Sequence, residues 1–208
     1  MWMTCRGMRP AGAVTALAAT LAVAGVPAPA QQRPLAQQQS VLGAALPAVS
    51  LGGPCLRSGK AYLRASIRGA VRLDVDLRGP GLACEGGPRR DGSGIRMGFE
   101  GRVSPRGRRI RIVFGIDGAK EDRSGRELPT NLTVFFEGEN LLFATQGDGN
   151  CTVDRLTQQR LVTGGHPTRV YRIVAHGFCI APANDLGGNR RILVTTFDFA
   201  GRADFNDR

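Results

Sequence analysis

From Ala61 onward the chain alternates apolar and polar residues with a period of two. Leu63, Ala65, Ile67, Val71, Leu73, Val75 and Leu77 hold odd positions, while Arg64, Ser66, Arg68, Arg72, Asp74 and Asp76 hold even ones. Successive side chains of a strand point to opposite sides, so this pattern predicts a strand with one wet face, bent at Gly69. Ile95, Met97, Phe99 and Val103 form a second apolar set, and Ile110, Ile112, Phe114 and Ile116 a third. Between them, Ser104-Pro105-Arg106-Gly107 has Pro and Gly where a type I turn prefers them, and setting Val103 opposite Ile110 brings both sets to one side. A further hairpin is predicted from Leu132–Glu137 to Asn140–Thr145 through Gly138-Glu139, with Phe136 opposite Leu141 and Phe135 opposite Leu142. Both of its faces are apolar, so the outer one needs a covering loop or a second copy of the chain.

Val170–Cys179 and Arg191–Phe199 read as two more strands, the first with Tyr171, Ile173, Ala175 and Cys179 on an uncharged face. The periodicity of Thr152–Leu161 fits helix and strand equally. Strands at short intervals with Gly-rich punctuation predict an all-β fold, an antiparallel β-sandwich or partly open barrel. Its strand faces carry too many arginines for the lipid-facing band of an outer-membrane barrel. Three longer connections, Glu85–Gly94, Asp117–Thr130 and Ala181–Asn189, are the places where a binding site would sit.

The N-terminal segment has a different logic. Arg6 and Arg9 precede an apolar run from Ala11 to Val26, and Pro27-Ala28-Pro29-Ala30 presents small residues at −3 and −1 of a cut after Ala30. Residues 1–30 therefore read as a secretory signal, too short in its apolar part for a membrane span, with Gln31 as the mature N-terminus. Residues 31–56, with two Gln runs and scattered Pro, Ala and Gly, read as a disordered leader before one domain at 57–208. No later apolar run is long enough to span a membrane as a helix. The expected compartment is the periplasm or the exterior.

Signal removal takes away Arg6 and Arg9 and lowers the net charge from +11 to +9. Lys60 and Lys120 are the only lysines, and such an arginine skew beside abundant Ala and Gly matches the codon bias of a GC-rich genome, which accounts for part of the basicity. Four cysteines remain, Cys55, Cys84, Cys151 and Cys179. An even number in an oxidising compartment predicts two disulfides, with three connectivities open. The sequential pairing, Cys55–Cys84 and Cys151–Cys179, is favoured, and each loop would contribute about 3.5 kcal/mol by chain entropy.

Candidate chemistry is sparse. Arg102, Arg106, Arg108, Arg109 and Arg111 crowd the tip and outer face of the first hairpin, and Arg64, Arg68 and Arg72 line the wet face of the opening strand. Guanidinium forks suit phosphates and carboxylates, so polyanions at the cell envelope are the expected partner. The competing account is a solvated face. Asp148, Asn150 and Asp154 have some of the oxygen spacing of a calcium loop but no Glu at the twelfth position, and a turn entering a disulfide explains them better. Asn131-Leu132-Thr133 matches a glycosylation sequon without further support. Only His166 and His176 could act as imidazole bases, no G-x-S-x-G or C-x-x-C occurs, and no histidine pair has ligand spacing, so no catalytic, metal or cofactor site is assigned.

Cys84-Glu85-Gly86-Gly87-Pro88-Arg89-Arg90-Asp91-Gly92, Gly177-Phe178-Cys179 and Phe197-Asp198-Phe199-Ala200-Gly201 resemble segments of uncharacterised exported proteins of GC-rich Gram-negative bacteria. That resemblance covers roughly residues 60–205 and implies no activity, ligand or functional residue. The expected role is a non-catalytic exported binding module. The alternatives are a hydrolase with a loop-built site, marked by His166 or His176 converging with acids, and a homodimer pairing through the Phe135/Leu142 face.

Overall fold

The computed structural model describes residues 55–56, 59–104, 107–162 and 169–206. The expected signal peptide and nearly all of the expected leader, together with Arg106 and His166, lie outside these residues. Eleven strands follow one another: β1 (Tyr62–Gly69), β2 (Leu73–Arg78), β3 (Ala83–Pro88), β4 (Gly94–Val103), β5 (Arg108–Asp117), β6 (Leu128–Phe136), β7 (Leu141–Ala144), β8 (Cys151–Arg160), β9 (Val170–Cys179), β10 (Ala183–Asp185) and β11 (Arg191–Asp204). All belong to one sheet running β2-β1-β11-β10-β7-β6-β5-β4-β3, and a second route from β6 to β11 passes through β8 and β9. Every pairing is antiparallel.

The sheet rolls until its β3 edge lies against the end of β11 without joining its ladder. Two glycines permit this. A Cβ on Gly86 or Gly87 would stand 2.7 Å from the carbonyl oxygen of Arg202 or Asp204, so only bare backbone fits at the seam. The result is the partly open barrel rather than two facing sheets. Its interior is filled by the odd- and even-numbered apolar sets that the periodicity singled out. Phe114 packs at a tilt against Phe197 and Phe199 with centroids 4.8 Å from each, and Phe99 sits 4.9 Å from Phe199. Such ring pairs add about 0.5–1.5 kcal/mol each beyond their burial.

Several local expectations change. The run from Leu63 to Leu77 is not one bent strand but the β1–β2 hairpin, with Leu63 opposite Leu77, Ala65 opposite Val75 and Ile67 opposite Leu73. Gly69 still marks the break, at φ +114°, because a Cβ there would sit 2.5 Å from the Arg191 carbonyl oxygen. Val103 pairs with Arg108, and Ile110 faces Gly101, two residues away from the expected register. A shift of two leaves every side chain on its face, so the apolar sets remain inward while the connection shortens. Phe136 opposite Leu141 and Phe135 opposite Leu142 hold as expected, with Phe135 and Leu142 half-buried. Their connection is four residues, Glu137 to Asn140, with Gly138 at φ +82° and Asn140 at φ +49°. Residues 152–160 are strand, and Glu85–Pro88 belong to β3 rather than to a loop.

Both disulfides follow the sequential pairing, Cys55–Cys84 and Cys151–Cys179. Cys55 and Leu56, assigned from sequence to the leader, are buried in the core, and Cys55 is tied to β3. Disulfides of this kind fit an oxidising compartment. Among the described residues no helix is long and apolar enough to cross a membrane.

Candidate anion-binding surfaces

The arginines expected to bind anions are largely occupied. Arg111 stands directly opposite Glu100 on the outer face of β4–β5, and its guanidinium reaches that carboxylate at 2.7 Å. Arg109 lies 3.2 Å from Glu137 and 3.6 Å from Glu100. Arg108 donates two hydrogen bonds to Glu139, at 2.5 and 2.6 Å, while covering the Phe136 ring at 4.4 Å. Arg102 donates to the Gly107 carbonyl at 3.1 Å. The acids come from β4, beside the cluster in sequence, and from the β6–β7 connection, well beyond it.

The arginines of β1 and its turn are a separate group. Arg68 pairs with Asp74 at 2.7 Å, and Arg64 stands 3.7 Å from Asp198 and 5.2 Å over the Tyr62 ring. Hydrogen bonds from Ser66 and then Arg68 hold the Asp74 carboxyl below its usual range. Burial, followed by the hydrogen bond to Asp198, pushes the Tyr62 phenol up. Arg72 is exposed and has no carboxylate partner among the described residues. Between the two groups lies a groove of about 270 Å³ where Arg78, Arg102 and Arg109 face Asp76 and Glu100. Mixed charge makes it a poor seat for an anion.

The remaining sequence leads are also committed to local structure. Asp148 pairs with Arg89 at 2.9 Å and accepts from Asn131 Nδ2 at 2.5 Å, and Asn150 donates to the Gln146 carbonyl. Thus Asp148 and the sequon asparagine satisfy each other. His176 Nδ1 lies 3.1 Å from Asp154 Oδ2 on the exposed face of β9. Among the described residues no group of three or more His, Cys, Asp or Glu side chains could hold a metal.

The connection between β5 and β6, one of the three longer connections where a binding site was expected, has a fixed structure. It is strapped across β8. Gln158 donates to the carbonyls of Lys120 and Arg123 at 2.7 and 2.8 Å and accepts from the Asp122 amide at 3.1 Å. Gly125 and Leu156 exchange two backbone hydrogen bonds of 2.9 Å. Glu121 is gripped by Arg169 and by the Tyr171 hydroxyl, and that hydroxyl accepts from Arg160 at 2.8 Å. Asp122 and Glu127, at φ +58° and +52°, bracket the strap in the left-handed region that non-glycine residues seldom adopt. Beside it opens a depression of about 540 Å³, lined by Ser124, Gly125, Arg126, Arg155, Leu156 and Thr157. Sequence reading missed Arg126 and Arg155 because they lie far apart in the chain. The connection was visible as a candidate location, but not what it rests on.

The strap depends on pH in a defined sense. The Arg169 hydrogen bond holds the Glu121 carboxyl below the ordinary glutamate range, against partial desolvation and with help from Tyr171. A depressed folded-state pKa stabilises fully above the unfolded value and is lost as pH falls through the folded one. Protection of the Gly125 amide against hydrogen exchange should therefore fall on acidification to about pH 3, ahead of amides in β4 and β5. Equal protection at both pH values would show that Glu121 does not hold the strap.

The fold and surface together define a class: a disulfide-stapled, single-sheet antiparallel barrel whose outer face is a mosaic of ion pairs. The chain matches no protein-family model, and neither curated proteins nor solved structures offer a significant match.

Proposed function

We propose that the protein is an exported, non-catalytic binding module for an anionic ligand. The supporting observation is a charge imbalance on the folded surface. Every described carboxylate except those of Asp117 and Glu127 lies within 3.7 Å of an arginine or histidine nitrogen. The guanidiniums of Arg72, Arg90, Arg102, Arg123, Arg126, Arg155, Arg172 and Arg191 are left without a carboxylate partner among the described residues. Arginine that no internal acid neutralises is available to an external one. Export is supported by the signal-like N-terminal pattern and by the disulfides.

Mature protein beginning at Gln31 should bind heparin-like or phosphate polymers at low salt and release them steeply as salt rises, because association liberates counterions. The double variant Arg109→Glu with Arg111→Glu should not abolish that binding, since both arginines already serve Glu100 and Glu137. Absence of binding by the wild-type protein at low salt would reject the proposal.

A further inference from the structure

We infer that the strap and β8 form a binding site for a phosphate group, built from Arg126, Arg155, Ser124 and Thr157; the inference rests on the anion-binding reading above and gives it a location and a ligand chemistry. Register brings these residues together. Gly125 bridges Leu156, the Glu127 amide approaches the Asp154 carbonyl at 3.4 Å, and Leu128 pairs with Val153. These pairings set Arg126 directly opposite Arg155, and Ser124 opposite Thr157, on one outward face. Leu156, between the two β8 members, is fully buried, so Arg155 and Thr157 point away from the core. All four residues line the same depression.

Like charges directly opposite in an antiparallel pair are destabilising. Elsewhere on this surface an arginine faces a carboxylate, as Arg111 faces Glu100, or faces an arginine that has its own acid, as Arg102 faces Arg109, paired with Glu137, and Arg172 faces Arg202, paired with Asp204. Here two exposed guanidiniums face each other with none. The neighbouring acids are engaged elsewhere: Asp154 with His176 at 3.1 Å and Asp122 with Arg160 at 3.3 Å. His176 stands on the far side of Arg155 in the β9 register, and Glu127, next to Arg126, is the one nearby acid without an ion pair. No neighbour relieves the Arg126–Arg155 repulsion, but an external dianion would.

The ligand chemistry follows from charge and donor count. The depression is open, and in an exposed site each Coulombic contact is weak, so a singly charged carboxylate gains little. A phosphate carries about −1.5 to −2 charges and three strong acceptor oxygens. It matches two guanidinium forks flanked by two hydroxyls. Preorganisation comes from Gln158 and the Gly125–Leu156 bridge, which hold the strap before any ligand arrives.

Titration of the full mature chain by calorimetry, with inorganic phosphate in one arm and long-chain polyphosphate in the other, tests the site. Arg126→Ala and Arg155→Ala should each weaken binding about tenfold, the scale of one charge-assisted contact. Glu127→Gln should strengthen it, and Arg191→Ala, at an exposed arginine on another strand, should change it little. Binding of inorganic phosphate assigns the free ion, and binding of polyphosphate alone assigns phosphates carried on a polymer; either result supports the site. Without ligand, Arg126→Ala should raise Tm or leave it unchanged, whereas a residue with a merely structural role would lower it. Wild-type binding that survives the Arg126→Ala/Arg155→Ala double variant would overturn this site and leave the broader anion-binding reading intact. Failure of the wild type to bind either probe or any polyanion would overturn both.

Discussion

Replacing Cys151 and Cys179 together by alanine is expected to destabilise the barrel by at least about 3.5 kcal/mol. The bridge spans a sequence separation of 28 residues, and loop-closure entropy released to the unfolded chain alone gives that magnitude. Its position should add to the effect. Cys151 pairs with Cys179 at the start of the β8–β9 ladder, and the same Cys151 pairs with Thr130 on β6. The disulfide therefore clamps the point where the sheet passes from β6 to β9. Both cysteines are buried, and the truncations leave space among packed side chains. Urea denaturation of the double variant should show a markedly lower midpoint. A shift below about 1 kcal/mol would mean that the reduced chain is already constrained without the bridge.

The second large effect is expected at Glu100. Its side chain is only 8% exposed, and Arg111, 19% exposed, is its closest partner. Arg111→Met should cost about 2 kcal/mol, below the ~3–5 kcal/mol typical of breaking a fully buried pair, because Arg109 still stands 3.6 Å from the stranded carboxylate. Adding Glu100→Leu should restore most of the loss, since a buried ion pair exchanged for packed apolar groups is often neutral. A double variant no more stable than Arg111→Met would show that Arg111 acts by packing on Phe135, its β6 neighbour, rather than by charge. This pair also leaves the densest run of arginines with less charge to offer an external anion. Its charge is already used inside the sheet.

Faces were legible in the sequence, whereas partners often were not. Odd positions from Leu63 to Leu77 point inward whether the segment is one strand or a hairpin, because Ile67 opposite Leu73 joins residues of the same parity. Alternation alone cannot separate the two. The same degeneracy hid the register of β4 and β5, where a slip of two residues preserves every face. The Phe136–Leu141 hairpin was readable because its turn residues pin the register. The closing of the sheet was not, since Gly86 and Gly87 meet Arg202 and Asp204 from the other end of the chain. The candidate site failed to show for a related reason. Proximity along the chain made Arg102 to Arg111 conspicuous, while the unpaired couple of Arg126 and Arg155 exists only once the strap is laid on β8.

The last strand is the hub of the molecule: β11 pairs with β1, β9 and β10 and packs against β3. Its contacts with β1 join residues more than 120 positions apart, as with Tyr62 and Ala200. Loop-closure entropy for such pairings must be met before the barrel gains anything from them, so folding is slow and cannot finish until Arg191–Asp204 are present. During synthesis β1, β9 and β10 stay without this neighbour until the end. Under the proposed export, in which the chain would thread a membrane pore in extended form, this arrangement is itself a safeguard. The nascent polypeptide remains unlocked until its final stretch arrives, and only then does the β3 edge close against β11.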